Sequence, residues 1–344
     1  MASPKVLVTG SSGSVGNRVT PLLAEDFSVL AVDRELPVTV PAGVESKQLD
    51  LLVDDLTAVM QGVEVVVHLA TALSADGWNH DGRIDLGIAR RVLEAAGRAG
   101  VQHVVLVSTA MVYGAWADNP IPLTEDAPLR PDHAFSFAIH KAELERMAMD
   151  YRVDHPGRTV TVLRPAITVA EEQPGGLARI LHSAMTVKSE EGDPPAQFLH
   201  ADDLATAIVT AVGQRVDGVL NVAPDGWIPA DDLVALAGPK PRVRVPGWAA
   251  TIVSALRFRT GLAPTPPGIV PYTEHPWVVA NDRLRELGWE PTNSNEEAYV
   301  AGHQPGRFDM LTAKQRQTLS LGAVGVVAAA IGGLVWWLWR RHRS

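Results

Sequence analysis

The residues best suited to chemistry form one run near the N-terminus, Thr9-Gly10-Ser11-Ser12-Gly13-Ser14-Val15-Gly16. Glycines at this spacing, directly after a strand-like apolar stretch, suit a diphosphate. Gly10 allows the tight turn, Gly13 lets the backbone approach a pyrophosphate, and Gly16 permits close helix packing. Ser12, Gly13, Ser14, Val15 and Gly16 then open a helix whose first N–H groups have no partner within the helix and face the anion. Asp33 follows 17 residues after Gly16, at the end of the next strand-like run, where it can accept hydrogen bonds from an adenosine ribose. Arg34 beside it could hold a 2′-phosphate, but the adjacent carboxylate would repel that group. NAD is therefore expected over NADP. An ordinary strand-to-helix turn would share the glycines and bind nothing, but it would not call for an acidic residue at that position.

Positioning this loop requires a strand before it and a helix after it. Lys5 to Gly16 reads as strand, glycine turn and helix start, and Val19, Leu22 and Leu23 continue the helix at helical spacing. VLAVDR (Val29 to Arg34), VESKQLDL and VEVVVHLA (Val63 to Ala70) read as buried parallel strands, apolar on both faces because helices cover both sides. A helix from about Asp85 to Ala99 leads to the strand VQHVVLVSTAMVYG, a helix from Phe135 to Arg152 follows, and TVTVLRPA is a further strand. This alternation predicts an α/β fold with a Rossmann-like, doubly wound parallel sheet and a ligand crevice at the carboxyl ends of its strands. Residues 1–166 are expected to form the dinucleotide-binding domain, with a later strand returning to its sheet near 196–222. Residues 167–306, broken by proline and glycine clusters, are expected to be mainly a smaller substrate lobe. Within the lobe, Pro246 to Gly261 carries Trp248, Ile252, Leu256 and Phe258 with Arg257 and Arg259; it reads as a helix packed on the lobe or as one lying on a bilayer.

Composition narrows the function. The net charge of −9, with no basic stripe, argues against a nucleic-acid surface. The absence of cysteine removes disulfides, thiolate metal sites and cysteine nucleophiles together. No histidine and carboxylate cluster stands at metal-ligand spacing, so no metal is expected. The N-terminus lacks the pattern of a signal peptide, which predicts a cytoplasmic globular part. Leu319 to Trp339 is an uncharged run of 21 residues ending in Trp336, Trp337 and Trp339, with Arg340, Arg341 and Arg343 after it. That pattern predicts a single-pass membrane helix at 319–339, reached through a linker at 307–318 and followed by a basic tail at 340–344.

Seven motifs in order now carry a resemblance. They are TGSSGSVG, Asp50-Leu51, VVVHLA (Val65 to Ala70), STAMVYG (Ser108 to Gly114), LRPA (Leu163 to Ala166), LHADDLA (Leu199 to Ala205) and RLRELGWEP (Arg283 to Pro291). Over residues 5 to 300 the chain resembles the extended short-chain dehydrogenases/reductases, the NAD-dependent epimerase/dehydratase type. The resemblance implies that Asp50 and Leu51 line an adenine pocket and that His68, Leu69 and Ala70 pass beside the cofactor. It implies that Thr109 and Lys141 belong to a catalytic set, with Lys141 also holding the nicotinamide ribose. It also implies an interface through which two copies of the chain could dimerise. Asp202 and Asp203 would organise the substrate lobe, or form a helix N-cap pair. Arg164 would sit near the crevice or serve the strand end.

One position departs from the family pattern. The family's Tyr-x-x-x-Lys pair is here Phe137-Ala138-Ile139-His140-Lys141, and a phenyl ring has no proton to give or take. None of the four tyrosines, Tyr113, Tyr151, Tyr272 and Tyr299, has lysine four positions later. Three readings follow: a cofactor-binding protein with weak or no redox activity, an active oxidoreductase or epimerase with a substitute proton donor, or a phenylalanine introduced to trap a complex. Candidate substitutes are His140, Tyr113, a water held by Lys141 or a residue of the substrate lobe, although His140 lies about 100° around the helix from Phe137. Glu143 and Glu145 read as solvated helix charges. The substrate is left open between a nucleotide-sugar and an apolar alcohol or ketone such as a lipid or steroid.

Overall fold

The strands are β1 (Lys5–Thr9), β2 (Ser28–Asp33), β3 (Val44–Gln48), β4 (Val65–His68), β5 (His103–Val107), β6 (Thr159–Pro165), β7 (Ile167–Val169), β8 (Val187–Ser189), β9 (Phe198–His200), β10 (Gly218–Val222) and β11 (Val243–Val245). Seven of them form one parallel sheet in the order β10-β6-β5-β4-β1-β2-β3. β7 pairs with β9 and β8 with β11 in two small parallel ribbons. The computed structural model describes residues 3–37, 39–71, 82–171, 187–189, 194–236, 243–245, 252, 255, 256 and 267–302. All belong to one compact unit, Met1–Gly302.

The sheet is buried on both faces, and its residues show why. Val6, Val8, Val65, Val67 and Val105 point into one core, while Leu7, Val66, Val104 and Leu106 point into the other. Successive side chains of a strand project to opposite sides, so a central strand with a core on each side is apolar over most of its length. The first core is closed by α1 (Gly16–Leu23), through Val19 and Leu23. The second is closed by α2 (Leu56–Val59), α3 (Arg83–Ala99) and α4 (Ser136–Asp154), through Leu56, Ile88, Val92, Leu144 and Met147. α5 (Ala201–Gly213) packs on the same side as α1 through Leu204 and Ile208. Later in the chain, the described residues include α6 (Ala230–Leu236), α7 (Asp282–Glu286), α8 (Asn295–Ala301) and a 3₁₀ helix at Pro267–Thr273. α3 stops where expected because Gly100, at φ +81°, takes the left-handed C-terminal position.

β3 departs from the expectation of a strand buried on both faces. It is the edge strand, and Glu45, Lys47 and Gln48 are exposed. β10 (Gly218–Val222) pairs with β6 at the other edge of the sheet.

The expected membrane anchor is corrected. Among the described residues no helix is long and apolar enough to cross a membrane. The longest of them, the 19-residue α4, carries Lys141, Glu143, Arg146, Asp150 and Arg152, charges that a span of about 20 apolar residues would not tolerate. Residues 319–339 lie outside the described residues, and the membrane location inferred from them is withdrawn. The segment 246–261 also lies outside them apart from Ile252, Ala255 and Leu256.

Asp203, in the first turn of α5, fastens the later chain to that helix. Its buried carboxylate accepts from Thr292 N (2.7 Å), Thr292 Oγ1 (2.6 Å), Asn293 N (3.1 Å) and Asn293 Nδ2 (3.0 Å). The helix cap itself is His200, whose Nδ1 accepts from Asp202 N. Asp203→Ala is expected to cost about 2–4 kcal/mol, because it removes a charged acceptor and strands several donors at once. Urea denaturation checks this, and a loss under 1 kcal/mol would mean that water replaces the carboxylate.

Candidate functional site

The glycine turn is built around β1 and the end of β4. Gly10 takes φ +71°, and a Cβ there would come within 2.6 Å of Ala70 N, so only glycine lets the two chain segments meet. At Gly16 a Cβ would collide with the carbonyl oxygen of Gly10. Gly13 is different: the nearest atom to its Cβ would be Gly10 O at 3.3 Å, so crowding within the chain alone demands glycine less strongly there. That is the glycine assigned to backbone approach by a diphosphate. α1 begins after Val15, which makes no side-chain cap; Asn17 N and Arg18 N donate to Gly13 O (2.9 Å) and Val15 O (3.1 Å), so an anion would be met at Ser14 to Gly16, where the helix opens. The buried Ser11 Oγ has no hydrogen-bond partner among the described residues. These features fit a dinucleotide.

Asp33 ends β2 opposite this turn. Its Oδ2 accepts from Ser12 N (2.9 Å) and its Oδ1 from Arg34 N (2.7 Å), so the carboxylate is fixed in direction and also braces the loop. Leu49 N donates to Asp33 O (2.8 Å), and Asp50 and Leu51 follow. Asp50 caps its own turn through Leu52 N (2.8 Å), and Leu51 is buried. Arg18, one turn into α1, donates to Ser14 O (2.8 Å) and to Asp202 (2.5 Å), which joins the glycine turn to α5.

Thr9, His68, Leu69 and Ala70 meet beneath the turn. Thr9 Oγ1 pairs with His68 Nδ1 (2.8 Å) and accepts from Leu69 N and Ala70 N (3.3 Å each). Burial pushes the His68 imidazole down to about 4, helped by the positive charge of Lys141 and opposed by Asp85, so the ring is neutral at pH 7. Lys141 Nζ donates to Val107 O (3.0 Å) at the end of β5 and lies 6.0 Å from the centre of the Phe137 ring. Burial lowers its pKa, with Asp85 and Glu145 pulling the other way. Thr109, two residues beyond Val107, caps a 3₁₀ turn (Ala110–Tyr113) by accepting from Met111 N (3.3 Å). The spacing of Phe137 and Lys141 is thus realised on one helix face, at the carboxyl end of the sheet and without a hydroxyl.

Three of the four tyrosines hold their hydroxyls elsewhere. Tyr113, considered above as a substitute, is fully buried; its hydroxyl donates to Asn221 Oδ1 (2.8 Å) and accepts from Arg164 Nη1 (2.7 Å). Burial pushes it up to about 12, despite Arg164. The Tyr272 hydroxyl donates to Met111 O (2.7 Å), and that of Tyr151 accepts from Arg158 (3.2 Å).

Glu145 corrects the reading of solvated charges. Glu143 is indeed paired at the surface with Arg146 (2.6 Å), but Glu145 is 4% exposed and holds Arg164 through both oxygens (2.6 to 3.1 Å). It also accepts from Ser108 Oγ (2.5 Å). Arg164 therefore serves the interior. The helical spacing Phe137, Lys141, Glu145 was the available signal, since residues four apart share a face.

Comparison with known proteins agrees with this geometry. The family model "NAD dependent epimerase/dehydratase family" matches residues 6–223. An uncharacterized protein of Mycobacterium tuberculosis is 28% identical over 311 residues, covering 86% of this chain and 82% of its own. A UDP-glucose 4-epimerase of Azospirillum brasilense is 32% identical over 177 residues, covering 46% of this chain and 48% of its own. Among solved structures, the UDP-glucose 4-epimerase of Thermus thermophilus in complex with NAD has a TM-score of 0.64 at 22% identity, covering 87% of this chain and 97% of that one. MoeE5 in complex with UDP-glucuronic acid and NAD has a TM-score of 0.65 at 20% identity, covering 86% and 97%. The glycine turn, the braced Asp33 and the Phe137–Lys141 face all lie within the matched residues, and the chain belongs to the NAD dependent epimerase/dehydratase family.

Proposed function

We propose that this chain binds NAD and a nucleotide-sugar in the manner of an epimerase or dehydratase, and that it turns the sugar over slowly or not at all. The observation that carries this reading is the Phe137–Lys141 face: the lysine is in place on Val107 O, and the group beside it has no exchangeable proton. Gly10, Ser12, Gly13, Ser14, Val15 and Gly16 take the pyrophosphate, Asp33 the adenosine ribose, and Asp50, Leu51, Leu69 and Ala70 the flanks of the cofactor. Arg34 stands beside Asp33 and leaves the preference with NAD. Bound NAD supplies a hydride acceptor at nicotinamide C4. Lys141 holds the nicotinamide ribose, and Thr109, whose oxygen already accepts from Met111 N, keeps its own O–H to donate to a sugar oxygen. Oxidation of that alcohol also releases a proton, which Phe137 cannot take. A nucleotide-sugar is favoured over a lipid or steroid because relatives named for a sugar substrate include UDP-glucose and dTDP-glucose enzymes.

NADH and NADPH fluorescence titrations of the full chain test the cofactor reading. NADH is expected to bind more tightly, because the fixed Asp33 carboxylate repels a 2′-phosphate. Tighter NADPH binding would reverse the assignment of Asp33, and a folded chain that binds neither would end the dinucleotide reading.

A further inference from the structure

A buried polar chain runs through the described residues behind the site. Ser108 Oγ donates to Glu145; Arg164 donates to Glu145 and to Tyr113; Tyr113 donates to Asn221 Oδ1; and Asn221 Nδ2 donates to Leu123 O (3.3 Å) while Asn221 N donates to Glu125 (2.8 Å). Each of Ser108, Glu145, Tyr113, Arg164 and Asn221 is at most 5% exposed. Such a chain is a poor way to gain stability. A buried ion pair loses in desolvation much of what it gains in attraction, and apolar residues of the same volume often serve equally well. Its members do have one thing in common, which is where they sit. Ser108 adjoins Thr109, Tyr113 closes the 3₁₀ turn that Thr109 caps, and Glu145 stands one helical turn beyond Lys141. Arg164 comes from β6, so one carboxylate and its guanidinium join α4 to the ends of β5 and β6, and Tyr113 carries the chain on to Asn221 of β10.

We propose that Glu145 is a positioning residue, which fixes the helix that carries Lys141 to the strand end that carries Thr109, so that the two address the nicotinamide half of the cofactor together. The proposal rests on the NAD-binding reading and adds to it a division of labour. The glycine turn and Asp33 hold the adenosine diphosphate half and are braced separately, through Ser12 N and Arg18. Loosening Glu145 should therefore weaken one half of the site and spare the other.

Calorimetric titration of the full chain with NADH and with ADP separates the halves. In Glu145→Gln, NADH affinity is expected to fall about tenfold, equivalent to the loss of about 1.4 kcal/mol, while ADP affinity stays within about twofold. A merely structural role would weaken both ligands alike, and an unchanged NADH affinity would remove Glu145 from the site altogether; either result overturns the proposal. Because Glu145→Gln leaves Arg164 without its counter-ion and could fold poorly, the double variant Glu145→Leu with Arg164→Met is measured beside it. It is expected to melt near the unaltered protein and still to show the NADH deficit alone, whereas NADH affinity equal to the unaltered chain would overturn the positioning role. Failure of the unaltered, folded chain to bind either ligand is a different result, which removes the cofactor reading and this proposal with it.

Discussion

Phe137→Tyr is expected to raise the turnover of UDP-glucose by about 10²- to 10⁴-fold, the usual contribution of a positioned proton donor or acceptor. The change adds one oxygen to a half-buried ring that lies 6.0 Å from Lys141 Nζ, with the lysine already anchored on Val107 O. The neighbouring ammonium would favour the tyrosinate and draw the new hydroxyl below its ordinary range, toward neutral pH, where a group can both give and take a proton. Chromatographic analysis of the sugar products, with NADH binding measured on the same samples, checks the expectation. Equal turnover by the unaltered chain would show that another group carries the proton. If both proteins bind the cofactor and neither turns the sugar over, the limitation lies outside position 137, or the sugar is the wrong one.

The second large effect is loss of stability in acid. His68 and His103 are both buried and pushed down to about 4, in each case chiefly by burial, with Lys141 adding to the effect at His68 and Arg215 at His103. The unfolded chain protonates each near 6.5 and the folded chain does not, so the unfolded state binds more protons throughout the interval. Stability is therefore complete above pH 6.5 and falls as the pH drops toward 4, by about 3 kcal/mol for each histidine. Urea midpoints at pH 7.0, 5.5 and 4.5 would show the decline, and His103→Gln should flatten the slope even if it lowers the plateau. His103 is the cleaner probe, because its Nε2 partners Thr161 Oγ1 (3.0 Å), well away from the glycine turn. A profile level from pH 7 to 4.5 would mean that the two rings take up protons without unfolding.

The sequence foretold most where a signal is local. The glycine turn was legible because Gly16 would collide with Gly10, within the same turn, whereas the approach of Ala70 to Gly10 is made only by the fold. β1, β4 and β5 were legible because a strand with a core on each face is mostly apolar, its few polar residues standing at the strand ends: Thr9, His68 and His103. β3 misled because VESKQLDL gives its register no edge label; pairing with β2 on one side only is a fact of topology. Glu145 misled for a related reason. Helical spacing put it on the face of Lys141, but its partner Arg164 lies on another element, and a carboxylate reads as solvated until such a partner is found. The sequence alone allows Asp202 and Asp203 two roles, and the structure divides them: Asp202 meets Arg18, while Asp203 holds Thr292 and Asn293.

Position 137 sits in the first turn of α4, ahead of two residues that tie this helix to the sheet, Lys141 through Val107 O and Glu145 through Ser108 and Arg164. The identity of its ring can therefore change without asking the scaffold to change. Phenylalanine and tyrosine codons differ at a single base, so a lineage could lose the hydroxyl and regain it by one mutation each way, provided that the anchors downstream stay in place. Drift at Glu145 or Arg164 would be harder to undo, because each would have to be restored in the presence of the other.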